Sequence, residues 1–355
     1  MTDVLSKIPL VGWGPIITIA ALAVICLIIA ILLWRNHKVW RWIFVALFLV
    51  IGLGAAANYV NTKFVYFDTV ADLFGIPAYP TGSGAQVTPG VLQPNGVVVP
   101  ITINDMASQF GVTEAKVFLP PQYFSDPRAH FPVMVLIHGN PGDNQNWTGP
   151  GQAPETGLAV AQQGKPVIIV MPTVLQNSVT DDTLCINTAA EGNAETYVVE
   201  DVVNSVDAQL RTIVDAKHRG IGGLSMGGFC ALNLGLKHPD VFSVALDFSG
   251  DTEPVADTLP GGLEQLFGPN HQQQVDANSP SKYWSQLDGS KGPAIWMDCG
   301  TSDLAVLKQM QTLLPQLKSK GFTVELHTRP GAHDFGTWSS ALKDALPWAA
   351  ARFYP

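Results

Sequence analysis

The chain has 355 residues, of which 47% are hydrophobic and only 14% charged, against roughly 25% charged in an average soluble protein. Its formal net charge is −9; four basic residues against one aspartate give residues 1–62 a net of +3, so the remainder carries −12. A body that acidic has no electrostatic footprint for nucleic acid, and so apolar a composition excludes a wholly cytosolic soluble protein.

The dilution of charge is local. Pro15–Trp34 runs 20 residues and Trp42–Thr62 runs 21 residues without a charge, and about 20 apolar residues span a bilayer. Between them lies Arg35-Asn36-His37-Lys38-Val39-Trp40-Arg41, whose fixed positive charges mark the cytoplasmic side. Residues 1–62 therefore read as a membrane anchor with two transmembrane helices, about 15–34 and 42–62. The amino terminus and everything after residue 62 then lie on the extracytoplasmic side. Ala55-Ala56-Ala57 offers a signal-type cleavage site, but a secretory signal has one apolar core of about 7–15 residues, not two spans.

Residues 63–96, with Pro77, Pro80, Pro89 and Pro94, read as a linker. Beyond it, Val97–Ile103 and Ala115–Leu119 are β-rich. Val133–His138, Pro166–Met171, Ile221–Leu224, Ser243–Phe248, Ala294–Asp298 and Phe322–His327 read as buried strands. Helical spacing marks 195–214, 226–237, 304–319 and 338–352. Continuous apolar strands alternating with helices predict an α/β fold, a mainly parallel central sheet with helices on both faces. Residues 97–355 form one such domain, interrupted at about 251–290 by a Gly- and Pro-containing insertion placed to cover a pocket.

Chemistry concentrates at Gly223-Leu224-Ser225-Met226-Gly227, directly after a strand and before a helix. That pattern is a nucleophile elbow, in which only glycine fits at Gly223 and Gly227 and the Ser225 hydroxyl is pushed into the open. A serine hydroxyl needs a base, itself held by a third group. His333 follows the last predicted strand, where that base belongs. His327 on a strand, His238 at a helix end and His271 in the insertion are weaker candidates. Asp303, just beyond strand 294–298, is the preferred acid over Asp298, read as structural, and over Asp334. The oxyanion needs two backbone donors: the amide of Met226 and, from His138-Gly139-Asn140-Pro141-Gly142, that of Asn140. Pro141 has no amide to give, and His138 is read as a prop for this loop. This chemistry calls for no cofactor and no metal, and the cysteine spacings match no zinc motif. Cys26 falls in the first span. Cys185, Cys230 and Cys299 allow one internal bridge at most, its pairing left open.

Gly-Leu-Ser-Met-Gly-Gly at 223–228, Lys237-His238-Pro239-Asp240-Val241-Phe242, Asp247-Phe248-Ser249-Gly250 and Gly331-Ala332-His333-Asp334-Phe335 resemble the esterase D-like branch of the α/β-hydrolases, which includes the antigen 85 mycolyltransferases. The resemblance covers about residues 97–355, including Asp182-Thr183-Leu184-Cys185, and not the anchor. It implies an α/β-hydrolase fold, with Ser225 as nucleophile, His333 as base, and Met226 and Asn140 as oxyanion donors. Antigen 85 proteins are secreted and use a glutamate as the acid; Asp303 in Gly-Thr-Ser-Asp is closer to the general esterase pattern.

Three functions are therefore weighed. The first is a membrane-anchored extracytoplasmic serine esterase acting on lipid or glycolipid esters of the envelope. The second passes the acyl group to a sugar or lipid hydroxyl instead of water. The third, a catalytically silent envelope scaffold, predicts an eroded triad, whereas serine, acid and histidine all stand in order. Protein partners are left open; Gly52, Gly54 and Ala55–Ala57 make a small-residue face suited to helix packing.

Overall fold

The computed structural model describes residues 5, 8–34, 38–64, 69–74, 93–111, 114–177 and 180–354. Residues 35–37 of the basic turn and most of the 63–96 linker lie outside the described residues. The chain divides into two compact units, Met1–Ala78 and Tyr79–Pro355.

In the first unit, α1 (Trp13–Leu32) and α2 (Lys38–Phe64) form an antiparallel hairpin. At one end the Gly12 amide donates to Thr62 Oγ1 at 3.3 Å and Trp13 meets Tyr59. At the other, Trp34 meets Trp42, and the Arg41 guanidinium lies 4.7 Å over the Trp34 ring. Both helices are long and apolar enough to cross a membrane, and they leave Ile17, Leu22, Leu32, Leu53 and other large apolar side chains exposed. The second helix starts four residues before the apolar run at Trp42, taking in Lys38–Arg41. Lys and Arg are good helix formers, and intrahelical bonds continue past the apolar stretch. Pro15 is tolerated because it lies in the first turn, where amides have no intrahelical acceptor.

The second unit is built on an eight-stranded sheet. Its strands are β1 (Val97–Thr102), β2 (Glu114–Leu119), β3 (Val133–Ile137), β4 (Ile168–Pro172), β7 (Arg219–Leu224), β8 (Val244–Phe248), β9 (Ala294–Gly300) and β10 (Val324–Arg329). Between β4 and β7 sits a separate small hairpin, β5 (Asn187–Thr188) with β6 (Gly192–Asn193). The order across the sheet is β1-β2-β4-β3-β7-β8-β9-β10. In this sheet the β1–β2 and β2–β4 pairs are antiparallel; β4, β3, β7, β8, β9 and β10 pair parallel with one another. Every residue of β3, β4, β7 and β8 is buried, as expected of strands covered on both faces.

The covering helices are α3 (Ala153–Gln162), α4 (Met226–Lys237), α5 (Leu304–Ser319) and α6 (Phe335–Phe353). Successive residues of β7 show that α4 and α6 take opposite faces. A Cβ on Gly220 would approach Phe353 of α6 at 3.1 Å, and one on Gly235 of α4 would approach Ile221 at 3.7 Å. Side chains alternate along a strand, so these neighbours point to opposite sides.

The segments differ from expectation in a few places. The expected helix 195–214 ends at Gln209, because Leu210 turns extended; its middle, Tyr197–Val202, is a π-helical turn. Helix 338–352 begins at Phe335, where the Asp334 carboxylate accepts from the Thr337 amide. An aspartate at that position is a strong N-cap. Helix α3 was not expected at all.

Cys185 and Cys230 form a disulfide, with Cys26 and Cys299 as free thiols. The bridge joins the loop after β4 to α4 across 45 residues. Closing a loop of that length in the unfolded chain is worth up to about 4 kcal/mol. Cys185→Ser/Cys230→Ser is expected to lower the unfolding free energy of the full chain by about 2–4 kcal/mol in urea denaturation. A loss under about 1 kcal/mol would contradict a native bridge.

Candidate active site

The parallel strands all end at one edge of the sheet, and their following loops converge there. Leu224 of β7 is level with Phe248 of β8, which is level with Asp298 of β9. The loop after β7 is the elbow. Ser225 stands at φ 56°, ψ −121° between strand and helix, a backbone region costly for a side-chain-bearing residue. The turn closes so tightly that a Cβ on Gly223 would lie 2.0 Å from the Gly227 carbonyl oxygen, and one on Gly227 2.3 Å from that of Ile137. These two positions exclude any side chain. Ser225 is thereby lifted off the sheet as the cap of α4, with the Gly228 and Phe229 amides donating to its carbonyl.

The loops after β9 and β10 are tied together by backbone. The Thr301 amide donates to Arg329 O and that of Ser302 to Gly331 O. This pairing sets Asp303 against His333: Nδ1 donates to Asp303 Oδ2 at 2.6 Å. An ionised carboxylate only accepts, so Nδ1 holds the proton and Nε2 is left as an acceptor. Nε2 lies 2.8 Å from Ser225 Oγ, within reach of the hydroxyl proton. The His333 ring also meets the edge of Trp338 at 4.9 Å and 88°. Its side chain is 41% exposed, while that of Asp303 is 10% exposed. Thus the imidazole is open to a ligand and its orienting carboxylate is shielded.

The rival residues are occupied elsewhere. Asp298 is 1% exposed and holds Arg329 bidentately, Nε at 2.8 Å and Nη2 at 2.5 Å. It pins β10 to β9. Asp334 caps α6. His238 Nε2 and Lys237 Nζ share Glu195 at 2.7 and 2.8 Å. Burial pushes the Glu195 carboxyl up, but these two donors outweigh it and leave it below the usual range. His327 stacks on Trp296 at 3.5 Å, and His271 bonds the Gly268 carbonyl.

His138 is fully buried; its Nε2 accepts from the Val174 amide at 3.0 Å and its Nδ1 donates to Gly139 O at 2.7 Å. Burial lowers it to about 4. It is a neutral prop for the loop after β3, as its position suggested. That loop brings Asn140 to the wall of a cleft of about 260 Å³ that also contains Ser225, Met226 and His333. Met226 is the first residue of α4, so its amide has no intrahelical acceptor. All residues singled out in the sequence for the site thus meet at one place.

The rest of the cleft was not foreseen by residue. Asp182 and Leu184 come from the loop after β4, and Asp251, Glu253, Val255, Asp257 and Thr258 come from the start of the 251–290 segment. The Gly-rich composition of that segment signalled a cover, but not which side chains it turns inward. Burial pushes the Asp182 and Asp251 carboxyls above the usual carboxylate range. A larger hollow of about 640 Å³ lies beside Lys237, Lys282 and Tyr283. Lys237 is paired with Glu195, Lys282 with Glu253, and the Tyr283 hydroxyl donates to Asn233. It has no nucleophile–base pair. Among the described residues, no group of three or more His, Cys, Asp or Glu is arranged to hold a metal.

A hydroxyl, an imidazole and a shielded carboxylate in series, beside a helix amino terminus, is an arrangement for acyl chemistry. Residues 111–349 match the model of the Esterase family (Putative esterase). The chain belongs to the Esterase family. This esterase is 27% identical over 328 residues to an uncharacterized protein of Corynebacterium glutamicum, covering 87% of this chain and 76% of that protein. It is 26% identical over 243 residues to the esterase Rv1288 of Mycobacterium tuberculosis, covering 62% of this chain. It spans about half, 52%, of that relative's length. Among solved structures, a ferulic acid esterase superposes with a TM-score of 0.63 at 25% identity, covering 72% of this chain and 98% of the other. The esterase has the α/β-hydrolase fold that its motifs implied.

Proposed function

We propose that this chain is a membrane-anchored serine esterase whose catalytic part lies on the extracytoplasmic side and cleaves lipid or glycolipid esters presented there. The observation that carries the chemistry is the Ser225–His333–Asp303 relay, with contacts of 2.8 and 2.6 Å. Ser225 Oγ attacks the ester carbonyl as His333 Nε2 takes its proton. The negative charge that develops on the carbonyl oxygen is received by the amides of Met226 and Asn140. His333 then returns the proton to the departing alcohol, leaving an acyl-enzyme on Ser225. Water, deprotonated by the same nitrogen, attacks the acyl carbonyl and releases the carboxylic acid and free Ser225. Asp303 keeps the imidazole in the one tautomer that accepts from the serine and stabilises its charged form.

The anchor reading rests on α1 and α2 together with Arg35, Lys38 and Arg41, which stand between their two apolar runs, and the positive-inside rule gives the orientation. A cleft of about 260 Å³ favours a short acyl group at the serine, with the lipid or glycolipid on the alcohol side.

The test uses the full chain, in detergent and in intact cells. Butyrate esters of p-nitrophenol are expected to be cleaved with kcat/KM at least roughly 10-fold above palmitate esters, since each pocket methylene is worth up to about 1–3 kcal/mol. External protease is expected to digest the catalytic part in unbroken cells. Protection from that protease would overturn the orientation. Transfer of butyrate to an added sugar faster than to water would replace the hydrolase by an acyltransferase.

A further inference from the structure

Asn140 sits at the cleft wall between two chain segments that sequence analysis did not connect to it. Its side-chain NH₂ group donates one hydrogen to the Asp181 carbonyl at 2.9 Å and the other to Thr258 Oγ1 at 2.8 Å. Thr258 in turn donates its own hydrogen to Asp182 Oδ2 at 2.7 Å. The direction of this chain is fixed. A carboxylate or a carbonyl oxygen only accepts, so the Asp181 carbonyl needs a donor and Thr258 spends its single proton on Asp182. A flipped Asn140 amide would set its oxygen against the Asp181 carbonyl and a hydroxyl with no hydrogen left to give. Asp182 is 3% exposed, so the anchor at the far end is itself held inside the protein.

We propose that Thr258 is a positioning residue that holds the backbone amide of Asn140 toward the nascent oxyanion, an inference that rests on the oxyanion role proposed for Asn140. The Thr258 hydroxyl joins the loop after β3, the loop after β4 and the 251–290 segment. Asp251, Glu253, Val255 and Asp257 of the same segment line the cleft beside it. A substrate pressed against them therefore acts on the brace of an oxyanion donor. Interactions of this kind convert binding of remote substrate groups into rate and not into affinity.

The experiment compares Thr258→Val, which keeps the shape and removes both hydrogen bonds, with Thr258→Ser, which keeps the hydroxyl, on p-nitrophenyl acetate. Thr258→Val is expected to lower kcat by about 10–100-fold with KM changed less than about twofold, the cost of a donor displaced but not deleted. Thr258→Ser is expected to return kcat to within about threefold of the parent, since its hydroxyl can make both bonds. Asn140→Ala keeps the backbone amide and cuts the same tether, so it is expected to show the same loss. Combining it with Thr258→Val is expected to add less than about twofold, because both act on one element. This second variant reads the contact even where Thr258→Val does not fold. Thr258→Val at parental kcat, Thr258→Ser as slow as Thr258→Val, or additive losses in the double variant would each overturn the proposal. Ser225→Ala runs alongside: if it stays active, the underlying esterase site is wrong; if it is dead while Thr258→Val is not, only the brace is.

Discussion

Ser225→Ala is expected to lower kcat on a p-nitrophenyl ester by roughly 10⁵–10⁶-fold, His333→Ala by a similar factor, and the double variant by no more than either alone. The reason is geometric. Ser225 Oγ and His333 Nε2 lie 2.8 Å apart, and attack and proton removal are one event, so losing either partner loses the whole step. A drop of 10⁶ corresponds to about 8 kcal/mol of transition-state stabilisation. The remaining activity is that of the cleft and its amides alone. Steady-state kinetics on purified full-length variants measures this. Multiplicative losses in the double variant would show that the two residues act independently and that the relay is not the engine.

Asp303→Asn is expected to cost on the order of 10⁴-fold in kcat, more than any other carboxylate of the region. An amide at this position can donate as well as accept, so it presents a hydrogen toward Nδ1 and drives the proton to Nε2. That nitrogen then points a donor at Ser225 and no longer accepts its proton. Asp298→Asn provides the contrast. Its carboxylate is engaged with Arg329, so it is expected to reduce the stability of β10 against β9 while kcat stays within about threefold, as for sites with no shared partner. If Asp298→Asn abolished turnover and Asp303→Asn did not, the assignment of the acid would be reversed.

Much of this site was legible in the sequence because its geometry is local. A run such as Val133–Ile137 reads as a buried strand by composition, and Gly-x-Ser-x-Gly at the end of another such run forces the elbow, since two of its positions tolerate no Cβ. Asp303 prevailed over Asp298 on the same logic: a residue inside a strand faces a neighbouring strand, while one beyond its end faces a loop. In the structure Asp298 bonds Arg329, while Asp303 Oδ2 lies 2.6 Å from His333 Nδ1.

What stayed hidden depends on contacts between distant segments. Helix α3 carries Pro154 and Gly157 and has no exposed polar stripe of ordinary width; Gly157 packs against Phe118 and Ile169, so tertiary burial and not periodicity makes it helical. The Cys185–Cys230 pair arises because α4 lays Cys230 against the loop after β4, a meeting that no spacing encodes. Thr258 lies 118 residues from Asn140 in a segment without regular periodicity. The Asp334 cap, by contrast, was readable: an aspartate three residues before Thr337 is an N-terminal signal, and applying it would have started α6 at Phe335.

The most direct measurement is reaction of the intact protein with a fluorophosphonate, followed by mass spectrometry of its peptides. The account predicts a single adduct on Ser225, absent from Ser225→Ala and much slower to form in His333→Ala. A well-folded parent protein that takes up no label, or takes it up on another residue, would contradict it.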